Sequence, residues 1–365
     1  MEQRKIQECC QFVTDGDHLP PPKSKEGIPF ITITNINEFN KILFDNVMYV
    51  PESYFSELSH TKKAQKGDIL YSVVGSFGKP VFITDNKKFV FQRHIALLRP
   101  NDTINGKYLY YSMLNPSFFK VVDKYAIGCS QRTVTLDTLR NLKINIPSRT
   151  IQDNIAGILS LLDEKIDKNN VINDNLQQVI KSCFDFMFAT QKPNGIISDI
   201  LQEHPKSTIQ VNDSTGILGD YPFFTSGEAI NEWQSALVDG MNCYLSTGGN
   251  ATIKGYYGKA AYSTDTWCVC GKGEYSFYLF CYLKSIIRSI NDSFFAGSGL
   301  KHLQKDSLLL VNLYIPSEKE LEKFNSIVKP AMETMTKLFL ETKKLKQQRD
   351  FLLPLLMNGQ ATIAE

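Results

Sequence analysis

Two segments of this 365-residue chain match each other at a fixed offset of 169 residues. Residues 128–147 read GCSQRTVTLDTLRNLKINIP, and residues 297–316 read GSGLKHLQKDSLLLVNLYIP. The matched positions fall without a gap on Gly128 and Gly297, Asp137 and Asp306, Leu139 and Leu308, Ile146 and Ile315, and Pro147 and Pro316. A long periodic apolar pattern follows each Ile-Pro. The chain is therefore built as globular unit, helix, globular unit, helix, and this two-fold character suits a symmetric or bipartite partner.

The two long helices are the clearest structural prediction. Apolar residues recur at alternating spacings of three and four along residues 155–186 and 321–352, which is a heptad seam. We assign the helix–helix spacer contact to Ile155, Ile158, Leu162, Ile172 and Leu176 of the first helix and to Leu321, Phe324, Met335, Leu338 and Leu345 of the second. The first seam continues through Val179, Cys183 and Phe186.

Polar residues interrupt both seams. Asn169, Thr342 and Arg349 should fix the register of the helix pair at some cost in stability. Pro330 lies inside the second pattern and should kink or restart that helix. A helix of some 40 residues would extend roughly 60 Å, which favours a spacer over the alternative of two core helices packed against the globular units.

Each globular unit reads as mixed α/β. In the first, residues 27–36, 67–84 and 89–100 show strand patterns, residues 106–122 show helical spacing, and residues 19–25 form a Pro-rich surface loop. In the second, residues 220–228 occupy the place of 27–33, residues 258–265 align with 78–85, and residues 275–284 resemble 107–114. The scaffold repeats while the loops diverge, which is typical of two different binding specificities.

The composition is that of a soluble globular protein, with 42% hydrophobic and 21% charged residues. We expect a cytoplasmic protein because no run of 18 apolar residues and no apolar signal core occur. The eight Cys residues lack paired CxxC spacing, so reduced, mostly buried thiols are expected rather than a zinc site.

Charge is distributed unevenly. Residues 1–147 carry 19 Lys/Arg against 14 Asp/Glu, a net +5, whereas residues 191–316 carry 9 against 11, a net −2. The first unit could bind phosphates on its own account, and the second would need local clusters or a basic partner.

The chain resembles the specificity subunits of type I restriction-modification systems over essentially its whole length. Residues 146–188 are similar to the central helical repeat of that family and residues 315–360 to its C-terminal repeat. Residues 14–36 and 128–135 resemble its first target-recognition domain, and residues 295–304 resemble the second.

This resemblance implies an α+β fold with two similar target-recognition domains, separated by two long antiparallel coiled-coil helices and related by a pseudo-two-fold axis. The domains would span residues 1–147 and 193–316, with the helices in 148–192 and 317–365. Each domain would read one half of a gapped double-stranded DNA target. Two methyltransferase subunits would carry S-adenosylmethionine and adenine-N6 methylation, two translocase-nuclease subunits can join, and this chain would hold no cofactor, metal or catalytic site of its own.

Three fragments of the sequence resemble catalytic motifs. Residues 115–118 (NPSF) approach an amino-methyltransferase signature, but no FxGxG cofactor loop accompanies them, so we interpret Asn115-Pro116 as helix punctuation. Residues 163–165 (DEK) match the end of a nuclease motif but lie within a heptad pattern, which favours a solvated helix face. Residues 246–250 are Gly-rich but lack the Lys-Ser/Thr of a phosphate loop.

A half-site reader needs polar side chains for base edges and cations or backbone amides for phosphates. The candidate DNA-binding residues of the first unit are Lys23, Lys25, Gln92, Arg93, His94, Ser130, Gln131, Arg132 and Thr133. Those of the second unit are Thr225, Ser226, Asn250, Thr252, Lys254, Lys259, Lys301 and His302. The repeat favours the 131–132 and 301–302 turns because they occupy matching places. One alternative stays open, a coiled-coil scaffold that joins two ligand-binding modules without touching DNA.

Overall fold

The structure is a computed structural model that describes residues 2–129, 131–297, 299 and 301–361. The chain forms two compact units, unit 1 (Met1–Ile166 with Lys344–Glu365) and unit 2 (Asp167–Lys343). Both long helices contribute a segment to each unit, so a globular part and two helix segments make up one unit.

Unit 1 contains a four-stranded antiparallel sheet, a three-stranded sheet and a two-stranded ladder. Its strands are β1 (Glu2–Lys5), β2 (Cys10–Asp15), β3 (Ile28–Ile31), β4 (Met48–Val50), β5 (Ile69–Ser72), β6 (Pro80–Phe82), β7 (Val90–Phe91), β8 (Ile95–Pro100) and β9 (Lys143–Ile146). Its helices before the long one are α1 (Glu52–Glu57), α2 (Gly106–Leu114), α3 (Pro116–Tyr125) and α4 (Leu136–Asn141). The strand orders are β2-β8-β5-β6, β4-β3-β7 and β1-β9.

Strands β5 and β8 form the centre of unit 1 because both of their faces are apolar. Ile69 and Tyr71 point to a core shared with the helices, whereas Leu70 on the opposite face packs with Ile31 and Phe91 of the smaller sheet. A continuous apolar run is the expected pattern for a strand that is buried on both sides. The loops at the ends of these strands are thereby held by a rigid layer.

The long helix α5 (Arg149–Phe188) leads into unit 2, which repeats this architecture. The strands of unit 2 are β10 (Gly195–Ile196), β11 (Leu201–Glu203), β12 (Tyr221–Phe224), β13 (Ile230–Trp233), β14 (Met241–Ser246), β15 (Ile253–Tyr257), β16 (Ala261–Tyr262), β17 (Thr266–Gly271), β18 (Phe295–Ala296), β19 (His302–Leu303) and β20 (Asn312–Leu313). Its helices are α6 (Ile197–Ile200), α7 (Ser276–Ser285), α8 (Ile287–Ser293) and α9 (Lys305–Leu309), followed by α10 (Glu318–Met357).

The strand orders of unit 2 match those of unit 1. The four-stranded sheet is β11-β17-β14-β15, and the three-stranded sheet is β13-β12-β16, with one antiparallel and one parallel pairing as in β4-β3-β7. A shared tyrosine marks the repeat as well. The Tyr108 hydroxyl donates to the Asn145 carbonyl (2.8 Å), and Tyr278 donates to the Tyr314 carbonyl in the same place.

Most of the predicted elements of the globular units are confirmed, with two changes in detail. Residues 67–84 form the antiparallel pair β5–β6, and residues 220–228 contain β12, the counterpart of β3. The segment 89–100 is not one strand, because β7 and β8 belong to different sheets. The helix predicted over 106–122 is broken into α2 and α3 at Asn115.

The alignment of residues 258–265 with 78–85 is wrong. Strand β16 pairs in parallel with β12, so its counterpart is β7, which pairs in parallel with β3. The counterpart of β6 is β15, which pairs with β14 as β6 pairs with β5. A short apolar strand follows a glycine turn in both places, and only the hydrogen-bonded partner distinguishes them.

The long helices α5 and α10 have 40 residues each and begin after the repeated Ile-Pro-Ser. They are antiparallel in both units. In unit 2 Phe184 stacks edge-on against Phe324 while Asn169 contacts Thr342, and in unit 1 Asp163 meets Arg349. The helix assignment of α10 continues through Pro330, so the expected restart at that residue is wrong. These units and helices confirm the predicted fold class, while the exact domain boundaries stay a prediction.

The three polar interruptions of the seam join the two helices. The Asn169 Nδ2 donates to the Glu341 carboxylate (2.8 Å) and to the Thr342 hydroxyl (3.3 Å). The Arg349 guanidinium donates to Asp163 (2.9 Å), which also accepts from the Tyr111 hydroxyl (2.7 Å). The expectation that residues 163–165 form a merely solvated face is therefore wrong for Asp163.

The predicted seam is correct at most positions of α10 and drifts in α5. Burial is complete at Ile155, Leu321 and Phe324 and partial at Ile158, Leu162, Leu176, Met335, Leu338 and Leu345. Ile172 is 43% exposed, and Val179 and Phe186 are exposed too, whereas Ile180 and Phe184 are buried. A strict heptad drifts by about 20° per repeat against a straight α-helix, which moves the contact face by one residue.

Candidate nucleic-acid interface

Three loops of unit 1 meet at the end of the sheet where β5 finishes and β8 begins. The Val73 N–H donates to the His94 carbonyl (2.9 Å), and the Val134 N–H donates to the Val73 carbonyl (2.8 Å). The Gly75 N–H donates to the Arg132 carbonyl (2.9 Å). We call the assembly of residues 73–78, 92–94 and 127–133 the loop end of unit 1. Ser130 lies outside the described residues.

Unit 2 builds the same assembly with the same hydrogen bonds. The Thr247 N–H donates to the Asp265 carbonyl (3.3 Å), and the Leu303 N–H donates to the Thr247 carbonyl (3.0 Å). The Gly249 N–H donates to the Lys301 carbonyl (2.9 Å), so Lys301 is the counterpart of Arg132. The loop end of unit 2 comprises residues 247–252, 263–265 and the described part of 296–303. Matching places for the 131–132 and 301–302 turns are thereby confirmed.

A buried serine closes the hairpin in each loop end. The Ser72 hydroxyl donates to the Ser76 carbonyl (2.9 Å) and accepts from the Lys79 N–H (2.9 Å). The Ser246 hydroxyl donates to the Asn250 carbonyl (2.8 Å) and accepts from the Thr252 N–H (2.9 Å). Sequence reasoning missed this pair, although both serines end a run of apolar strand residues.

The Arg132 side chain is committed within unit 1. Its guanidinium donates to the carboxylate and to the carbonyl of Asp123 on α3 (2.5 Å each) and lies over the Phe77 ring, 5.3 Å from the centroid. Gln131 beside it is exposed. Arg132 thus anchors the return loop although its side chain stays 41% exposed, and Gln131 is exposed to a ligand beside it.

The segment 92–94 presents a second set of polar groups. Arg93 is exposed, while Gln92 bridges to Asp17 next to the smaller sheet. Burial, and then the charge of Arg93, lowers the pKa of the His94 imidazole, which favours its neutral form. The neutral ring would offer one donor and one acceptor to a base edge.

Lys23 and Lys25 do not belong to the loop end. Both are exposed, and the segment between them is tied to the edge strand β4 by the Ser24 N–H, which donates to the Tyr49 carbonyl (2.9 Å). That contact lies near the start of β3, whereas the loop end follows the opposite end of β7. Lys23 and Lys25 therefore lie apart from the other candidates of unit 1, and their contact with DNA stays a prediction.

The second unit gathers Thr225, Ser226, Asn250, Thr252 and Lys254 around one turn. The Thr252 hydroxyl donates to the Ser226 carbonyl (3.1 Å), and the Lys254 ammonium donates to the Thr225 carbonyl (3.0 Å). Thr225 is only 4% exposed, so its predicted direct contact with DNA is wrong. Burial lowers the pKa of Lys254, since the low-dielectric surroundings penalise its charge.

Lys259 lies elsewhere. Register places Leu245 opposite Ile253 at one end of the β14–β15 ladder and Met241 opposite Tyr257 at the other. Lys259 follows the Tyr257 end and lines a shallow cavity with Tyr221 and Asp239, so it is not part of the loop end.

Comparison with known proteins identifies the chain's relatives. A family model described as the type I restriction modification DNA specificity domain matches residues 1–178. The MjaIX specificity subunit of Methanocaldococcus jannaschii is 21% identical over 96% of this chain and 91% of its own length. Residues 1–178 thus match the type I restriction modification DNA specificity domain, and the chain as a whole is similar to type I restriction specificity subunits.

Two further similar proteins differ in how much they share with this chain. The HindI specificity subunit of Haemophilus influenzae is 28% identical over 164 residues, and this chain spans about a third (34%) of its length. The S subunit of M. genitalium has a crystal structure that superposes with a TM-score of 0.66, covers 98% of this chain and 96% of its own, and is 16% identical. That likeness concerns the fold.

Matching hydrogen bonds reveal a pair of segments that sequence reasoning missed. Asp265 is the counterpart of His94, so residues 263–265 (STD) correspond to residues 92–94 (QRH). An alignment of β8 with β17, at an offset of 171 residues, would have found them. The two loop ends therefore share a backbone and differ in charge at these segments, with Arg93 in one and Asp265 in the other.

Within the described ranges, no cluster of three or more potential metal ligands occurs. Among the same residues, no helix is both long and apolar enough to cross a membrane. The Asn115-Pro116 fragment is helix punctuation, as predicted, because the buried Asn115 side chain accepts from the Ser117 N–H (3.1 Å) at the start of α3.

Proposed function

We propose that this chain is the DNA-reading subunit of a type I restriction-modification complex. Each unit would recognise one half of a gapped, double-stranded target through its loop end. The observation that carries the proposal is the loop end itself, which is built twice with the same three backbone hydrogen bonds and with different exposed side chains. A shared frame with divergent polar tips is what two half-site specificities require.

The direct contacts would come from the exposed residues of each loop end. From these exposed residues we propose Arg93 and Gln131 in unit 1, and Asn250, Lys301 and His302 in unit 2, as the direct contacts. Glutamine pairs well with adenine and arginine with guanine in the major groove, and lysine neutralises phosphate.

The partners follow from the family. We propose that two methyltransferase subunits bind this chain and supply S-adenosylmethionine and adenine-N6 methylation. Two translocase-nuclease subunits can join them in the cytoplasm. This chain itself would perform no catalysis. The two 40-residue helices would fix the length of the unread gap, with the Asn169–Thr342 and Asp163–Arg349 contacts holding their register.

The test is co-expression of the full chain with the methyltransferase subunit of its source genome, in a host without adenine methylation. We expect the two proteins to co-purify and single-molecule sequencing to map methylated adenines to one motif with two specified halves and an unspecified gap. Co-purification followed by methylation at a continuous, ungapped motif would refute the bipartite assignment. A complex that neither binds nor methylates DNA would favour the scaffold alternative.

A further inference from the structure

The turn that follows β12 in unit 2 is held by a lysine. The Lys254 ammonium donates to the carbonyls of Thr225 (3.0 Å), Gly227 and Ala229 (3.5 Å). An ammonium group has three N–H donors, so these three acceptors occupy all of them. Lys254 is half-buried, and none of its donors is left for a phosphate.

A second bond acts on the same turn. The Thr225 hydroxyl donates to the Ala229 carbonyl (2.7 Å), across the residues that Lys254 ties together. Residues 225–229 also contact the loop end, because the Ser226 carbonyl accepts a hydrogen bond from the Thr252 hydroxyl (3.1 Å). Movement of residues 225–229 would therefore shift the hairpin that carries Asn250.

Unit 1 holds its equivalent turn in a different way. The position that corresponds to Lys254 is Val81, since Val81 pairs with Leu70 as Lys254 pairs with Tyr244. After β3 the chain is closed locally by Asn35, whose side-chain oxygen accepts from the N–H and the hydroxyl of Thr32 (2.9 Å each). The hydrogen bonds from a lysine to the turn after the central strand of the three-stranded sheet are thus a feature of unit 2 and have no counterpart at Val81 in unit 1.

We propose that Lys254 is a positioning residue that sets the preference of unit 2 for its half-site by holding the turn 225–229, and that it makes no phosphate contact. This inference rests on the proposed function. It departs from the ordinary interpretation of a lysine near DNA, in which the ammonium neutralises a phosphate and strengthens binding to every sequence alike.

Salt dependence separates the two roles. Loss of one phosphate contact makes the negative slope of log K against log salt concentration shallower by about 1 and weakens binding to all sequences equally. Loss of a positioning contact leaves the slope unchanged and reduces the discrimination between the correct and a mismatched half-site. We expect a reduction of about tenfold, the effect of one lost base-pair preference.

The experiment uses the full chain in complex with its methyltransferase subunit and fluorescent duplexes that carry the mapped motif or a mismatch in one half. Lys254→Met keeps an unbranched apolar side chain that is one atom shorter and removes the charge. Thr225→Val perturbs the same turn from a buried position that cannot reach DNA, and it decides the matter if the lysine variant does not fold. Lys259→Met is the matched control, an exposed lysine at the far end of the same hairpin.

We expect both Lys254→Met and Thr225→Val to relax discrimination at one half-site while the salt slope stays unchanged. Lys259→Met should keep the discrimination of the wild-type complex. A negative salt slope that becomes shallower by about 1 in Lys254→Met, with discrimination intact, would overturn the inference while leaving the proposed function standing. A wild-type complex that shows no preference for any gapped motif would refute the proposed function itself.

Discussion

The buried polar contact between the long helices gives a sharp stability prediction. Asn169 is 2% exposed and donates to the Glu341 carboxylate (2.8 Å) and to the Thr342 hydroxyl (3.3 Å). A hydrogen bond to a charged group contributes about 1.5–3 kcal/mol and a neutral one about 1 kcal/mol. We therefore expect Asn169→Ala to lower the free energy of unfolding of unit 2 by about 2–4 kcal/mol.

The two tryptophans of the chain provide the assay. Trp233 and Trp267 both lie in unit 2, so the intrinsic tryptophan fluorescence during urea unfolding reports on that unit. Asn170→Ala is the control, because Asn170 is the exposed neighbour on the same helix and should change stability by no more than about 0.5 kcal/mol. Equal losses in the two variants would refute the reasoning, since the buried contact would then contribute nothing measurable.

Three further expectations concern the globular units. Ser72→Ala should destabilise the hairpin of unit 1 by about 1–3 kcal/mol, measured as faster amide hydrogen exchange there, whereas Ser76→Ala at the exposed tip should not. Burial raises the pKa of Tyr108 from 10.0 to about 12. The stability that the protonated hydroxyl contributes is therefore complete below pH 10 and is lost as the pH rises toward 12. Tyr108→Phe should flatten that part of the curve of stability against pH, measured by calorimetry. In methylation assays, Arg132→Ala should relax discrimination at only one half-site. Asp123→Ala should reproduce that effect, because the Asp123 carboxylate holds the Arg132 guanidinium. Unchanged discrimination in Asp123→Ala would show that Arg132 acts by contacting DNA.

The periodic parts of the chain could be predicted well from sequence. The α10 seam, including the buried Phe324, follows from apolar spacing, and the polar seam residues Asn169 and Arg349 could be foreseen because a polar side chain in a heptad seam needs a partner. The α5 seam drifted at Ile172, since the spacing of a real helix is 3.6 residues rather than 3.5.

The tertiary contacts of the loops were beyond the sequence. Sequence similarity matched residues 258–265 to residues 78–85, although the strand pairing shows that β16 corresponds to β7. Lys254 and Arg132 were candidate DNA contacts because both are cations near a predicted turn, and in the structure they donate to backbone carbonyls and to Asp123. The sequence could not identify these contacts because the tertiary fold brings the partners together, across nine residues for Arg132 and 29 residues for Lys254.

The assignment of one unit to one half-site is tested most directly by mapping methylated adenines in cells that express single variants of each loop end with the methyltransferase subunit. Gln131→Ala alters unit 1 and His302→Ala alters unit 2, at exposed positions of equivalent turns. We expect each variant to relax the motif at a different half, with the other half and the gap length unchanged. Relaxation of both halves by either variant would contradict the account.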